Sequence, residues 1–153
     1  MRRLALCLAV MAVPGLAHAA GWTSQMEEDE GGSVMVASVD ADAVGSIAPA
    51  LRLMCAGSEG VNLRYQAAVD TVEPGAEADF LFESETGRLT RHMVYEDLDG
   101  AFAAYFPPSD PLIRLLKTGS RVSVSQPGGN SPTVAFTLAG SSKAIDVLLG
   151  TCK

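Results

Sequence analysis

Beyond the first twenty residues, apolar and polar side chains alternate at period two along most of the chain. That is the pattern of strands with one buried face. In the run 33–39, Val34, Val36 and Ser38 oppose Met35, Ala37 and Val39. In 50–55, Leu51, Leu53 and Cys55 share a side and Arg52 points away; in 61–69, Val61, Leu63, Tyr65 and Ala67 oppose Asn62, Arg64 and Gln66. Phe80 and Phe82 fall together in 78–83, and 88–95, 100–106, 121–125 and 133–138 complete the expected strands. Gly31-Gly32, the stretch 57–60, Glu73-Pro74-Gly75, Asp99-Gly100 and the stretch 127–130 supply turns between them.

Two segments leave the two-residue period. Asp110-Pro111 is a helix start, an Asp N-cap with Pro at the first position, and Leu112, Ile113, Leu115 and Leu116 form its apolar stripe up to Gly119. Ser141 or Ser142 caps a second helix in which Ile145, Leu148, Leu149 and Cys152 share a side. The expected fold is mainly β: one antiparallel sandwich or barrel-like domain over 20–153 with two short helices, one of them C-terminal.

Composition changes this picture at the N-terminus. Arg2 and Arg3, an apolar run over 4–16 and Ala17-His18-Ala19 have the three parts of a cleaved secretory signal, expected over 1–19. The run falls short of the roughly 20 apolar residues that span a membrane, and no later stretch approaches that, so no stable membrane insertion is expected after cleavage. Nor does Cys7, deep within the apolar run, fit a lipid-anchor site. The short, Ala-rich signal suggests a bacterial periplasmic product, with the extracellular space as an alternative.

Cleavage removes two of the 11 basic residues and none of the 18 acidic ones, taking the net charge from −7 to −9. That balance argues against a nucleic-acid partner, because phosphate binding relies on clustered Lys and Arg. A length of 153 residues fits one domain.

Two cysteines, Cys55 and Cys152, and one histidine, His92, remain after cleavage. In an oxidising compartment an even pair reads as a disulfide, worth about 4.7 kcal/mol for so long a loop in the chain-entropy account. There is no CxxC motif, and one histidine cannot complete a zinc site with them.

The remaining constellations carry little chemistry. Glu27-Glu28-Asp29-Glu30 lacks the alternate spacing of a calcium loop and reads as a solvated acidic loop. Asp40-Ala41-Asp42 lacks further ligands, and the stretch 96–100 reads as an acidic hairpin turn ending in Asp-Gly. His92 reads as an exposed strand residue, and Gly140-Ser141-Ser142 as a helix cap; neither GxSxG nor HExxH occurs. No catalytic, metal or cofactor site is therefore expected. Arg114 and Lys117 give the first helix a basic surface, with Arg64, Arg88 and Arg91 as scattered positives. Tyr95, Phe102, Tyr105 and Phe106 concentrate the aromatics in the core, with Phe106-Pro107-Pro108 a candidate exposed ridge. The candidate partner surface is Phe106, Arg114 and Lys117.

Near the C-terminus, Val134 to Gly140 runs into Ala144-Ile145 and then Cys152, a strand–Gly–helix–Cys ending, and Leu51 and Leu53 precede Cys55. These segments resemble small exported bacterial proteins: the periplasmic accessory proteins of type VI secretion and the invasion-associated locus B family. The chain lacks the extra N-terminal cysteine segment common in the former. The resemblance implies a disulfide-tied periplasmic β-domain that is not an enzyme, and it carries over no catalytic residue. The expected function is binding of a protein or envelope partner. An acidic inhibitor of a cationic hydrolase such as lysozyme is the alternative, and a carboxylate-based hydrolase a more distant one.

Overall fold

A computed structural model describes residues 21–29, 31–69 and 71–152. The expected signal segment, with Cys7 and His18, lies outside them. The chain runs β1 (Thr23–Asp29), β2 (Gly32–Asp40), β3 (Ala50–Cys55), β4 (Val61–Gln66), β5 (Glu77–Ser84), β6 (Gly87–Glu96), β7 (Ala101–Phe106), α1 (Pro111–Lys117), β8 (Arg121–Ser125), β9 (Val134–Thr137) and α2 (Ser141–Thr151). The strands form one antiparallel sheet in the order β1-β2-β3-β4-β7-β6-β5-β8-β9. Within β1–β4, β5–β7 and β8–β9, neighbours in sequence pair antiparallel, and two non-local ladders, β4 with β7 and β5 with β8, join these pieces.

The sheet curls over its own inner face. Tyr65 on β4 stacks edge-on against Phe80 of β5 at 5.1 Å and against Phe136 of β9 at 6.2 Å between ring centroids, although those strands lie three and five places away in the sheet order. Such contacts require the right-handed strand twist to accumulate into a coil. The two edges meet through Trp22, which donates its backbone N–H to Ala139 O at 2.8 Å and its indole Nε1–H to Thr137 O at 3.0 Å. No ladder joins β1 to β9, so the sheet stays open and sandwich-like rather than a barrel.

Alternation decides what lies inside. Leu51, Leu53, Leu63, Tyr65, Phe80 and Phe82 are buried in one core cluster, as the pattern predicts. Fully burying a residue of this size contributes about 1.5–3 kcal/mol. Burial also pushes the Tyr65 phenol up to about 12.

The outer face is held by arginines that reach over a middle strand. Arg52 on β3 pairs with Glu27 on β1 at 3.2 Å. These residues lie opposite Ser38 and Val34 of β2, so the bridge crosses Val36, which is 0% exposed despite facing outward. Arg64 on β4 likewise passes over Ala103 of β7 to Asp99 at 2.8 Å and Glu96 at 3.6 Å. A small residue in the spanned strand and a long aliphatic stem make this roof possible.

Three expectations change. Glu27 and Glu28 are not in a loop but in β1, an edge strand whose polar residues give no apolar period because backbone pairing with β2 suffices to place it. The strand expected over 61–69 ends at Gln66. α2 is capped by Gly140 at φ 80° with no side-chain cap bond, and Ser141 is buried inside the first turn. A Cβ at position 140 would lie 3.0 Å from Trp22 O, so the edge-closing contact also favours glycine there.

Candidate functional site

α1 sits where its local sequence predicts. The Asp110 carboxylate accepts from Leu112 N–H at 2.9 Å, and Pro111 occupies the first turn where its missing N–H costs nothing. The same Asp110 oxygen accepts from Arg91 Nη2 at 2.5 Å, which pins the start of α1 to β6. Arg91 lies in turn over the Phe106 ring, 5.3 Å from its centroid.

That stack corrects the expected partner surface. Phe106 is 4% exposed and belongs to the core, as the core reading of these aromatics has it, so it cannot be a partner-surface residue and takes no part in an exposed ridge with the exposed Pro107 and Pro108. The phase of β7 explains it: Phe102, Ala104 and Phe106 alternate inward, leaving Tyr105 as the exposed aromatic. Tyr105 donates its hydroxyl to Glu96 at 3.0 Å. Lys117 is half-buried and pairs with Asp146 of α2 at 2.5 Å. Of the three expected residues, Arg114 alone is both exposed and without a carboxylate partner among the described residues.

Helical geometry makes Arg114 a shared edge. Pro111, Arg114, Leu115 and Thr118 recur at i, i+3, i+4 and i+7, and so do Asp110, Ile113, Arg114 and Lys117. The first set lines a groove of about 370 Å³ against Thr86, Gly87, Arg88 and Leu89. The second lines one of about 410 Å³ against Pro108, Ser142 and Leu149. α1 is therefore a ridge between two open grooves.

The turn Glu85-Thr86 is tied to the far end of α1. Thr86 Oγ1 lies 3.1 Å from Thr118 Oγ1, and the Glu85 carboxylate accepts from Ser120 N–H. Hydrogen bonds from its own backbone N–H, then from Ser120, hold the Glu85 carboxyl below its ordinary range. The sequence marks Arg88 only as a scattered positive. No local signal places it in one groove with Arg114, because that depends on how α1 returns to β6.

The other expected chemistry disperses. His92 is 59% exposed on the outer face, with Nδ1 3.0 Å from Asp79 and Nε2 3.4 Å from Glu77. Its hydrogen bond to Asp79 raises its pKa, against a smaller opposing effect of desolvation. Glu27, Glu96 and Asp99 serve the strand-spanning bridges, and Glu28 accepts from Ser33 at 2.5 Å. Among the described residues, no three His, Cys, Asp or Glu side chains gather as a metal site, and no helix is long and apolar enough to cross a membrane. Set against protein-family models, curated proteins and solved structures, the chain matches none.

Proposed function

We propose that this chain is an exported, non-catalytic binding domain of the periplasm that engages a protein or envelope component through the α1 ridge. The observation that carries the reading is Arg114, an uncommitted cation standing between two open grooves on a chain of net charge −7. Arg52, Arg64, Arg91 and Lys117 are engaged in intramolecular pairs; of the cations without one among the described residues (Arg88, Arg114, Arg121 and Lys143), Arg114 is the one that lines both grooves. The resemblance to disulfide-tied exported β-domains points the same way.

The test is a crosslinking pull-down from intact envelope with the oxidised, exported protein as bait, beside the same bait carrying Arg114→Glu. One stoichiometric partner is expected with the first bait and a several-fold loss with the second. Equal capture by both, or none by either, overturns the reading.

A second reading, inhibition of a cationic hydrolase, is favoured by Glu77, Asp79 and Glu83, exposed carboxylates that share the outer side of β5. It requires salt-sensitive inhibition of a basic enzyme such as lysozyme.

A further inference from the structure

The groove between α1 and the start of β6 is preformed. Its walls are tied at one end by the Arg91–Asp110 pair and at the other by the Thr86–Thr118 hydrogen bond. Both arginines that line it, Arg88 and Arg114, are without an ion pair among the described residues. Glu83 lies opposite Arg88 in the β5–β6 register but does not pair with it. Leu89, Pro111 and Leu115 supply the apolar lining, and the threonine hydroxyls a polar rim.

Arg114 on the helix, with Arg88 on the facing strand, sets positive charge beside a small apolar patch, which suits an anion attached to an apolar body. Guanidinium suits a carboxylate through paired hydrogen bonds. The apolar lining comes from three side chains, enough for one aliphatic residue and too little for an acyl chain. We infer that this groove binds an acidic peptide segment of the partner, a carboxylate with an aliphatic side chain next to it. The inference deepens the reading of α1 as the binding ridge and rests on it.

The test is an amide-shift titration of the oxidised, exported protein with the peptide acetyl-Ala-Leu-Glu-Leu-Ala-amide, with its Glu-to-Gln counterpart, with inorganic phosphate, and with phosphatidylglycerol vesicles. Shifts from the Glu peptide are expected within 86–89 and 112–118. Affinity should fall about tenfold for the Gln peptide and for Arg88→Gln or Arg114→Gln, the scale of one charge-assisted hydrogen-bond pair. Equal binding of the two peptides overturns the inference. So do shifts scattered over the surface, phosphate binding as strong as the peptide's, and a response to vesicles alone. Failure here with partner capture still lost in Arg114→Glu leaves the ridge reading standing and moves the contact to the α1–α2 groove. Failure of capture by either bait removes the ridge reading itself.

Discussion

α1 and α2 each bury one apolar stripe against the sheet, but they are fastened differently. α1 is held at its start by Asp110, which caps it and also receives Arg91 from β6. α2 starts at a glycine with no side-chain cap and is held at its end, where Cys152 bonds Cys55 of β3 with the sulfurs 2.04 Å apart across 97 residues. One helix is secured by neighbouring polar groups and the other by a covalent link from a distant strand. α1 is the helix that lines both open grooves, with Arg114 between them. In α2, by contrast, Ala144, Ile145 and Leu148 pack inward against β1, β2 and β3.

Breaking the covalent anchor has the largest expected effect. Reduction, or Cys55→Ser with Cys152→Ser, should lower stability by about 4–5 kcal/mol, read as a fall in the urea midpoint. Hydrogen exchange should rise in α2 and β3 well before α1. Unchanged protection of the α2 amides after reduction would mean that packing alone holds this helix, and the contrast with α1 would collapse.

The polar anchor is expected to be worth less. Asp110→Ala removes a cap and strands Arg91 over Phe106, costing about 2 kcal/mol. Asp110→Ser keeps a capping oxygen and should recover about half of that. Equal losses in the two variants would assign the whole effect to the ion pair with Arg91. Exchange should now rise in α1 and leave α2 untouched, the mirror image of the disulfide experiment.

The smallest effect comes from His92, whose ring lies on the outer face of the sheet against Asp79. Its folded pKa is raised, chiefly by Asp79, so any stabilisation is fully present below the unfolded value of about 6.5 and is lost as pH climbs through the folded value. A ring-proton NMR titration should give a midpoint above 6.5, moved down by Asp79→Asn. A midpoint that ignores Asp79→Asn would show that the His92–Asp79 hydrogen bond does not hold in solution. Amide shifts in α1 and α2 should stay flat across the same titration.

Much of the fold is legible residue by residue. The phase of Leu51, Leu63, Phe80 and Phe82, the Asp110-Pro111 start and the Asp99-Gly100 turn all stand where local pattern puts them. β1 is not legible, because an edge strand of Thr, Ser, Gln and Glu is set by backbone pairing rather than by apolar rhythm. Ser141 has the residue type of a cap, yet a glycine at positive φ already turns the chain there. For Tyr105 and Phe106 the sequence leaves core and surface readings side by side, because composition does not contain the phase in which β7 enters the sheet; Phe106 goes inward and Tyr105 outward.

The sequence by itself determined the period-two strands, the helix start at Asp110 and, with only two cysteines beyond the expected signal, which pair bonds. These depend on groups within a few residues of one another or on simple counting. Tertiary structure alone decided that Arg52 and Arg64 roof the outer face, that Phe106 lies beneath Arg91, and that Arg88 and Arg114 line one groove. Each of those joins side chains from separate elements. Which elements become neighbours is settled by the β4–β7 and β5–β8 ladders, the curl of the sheet and the docking of α1 on β6, a cooperative outcome of packing that no local window of residues contains.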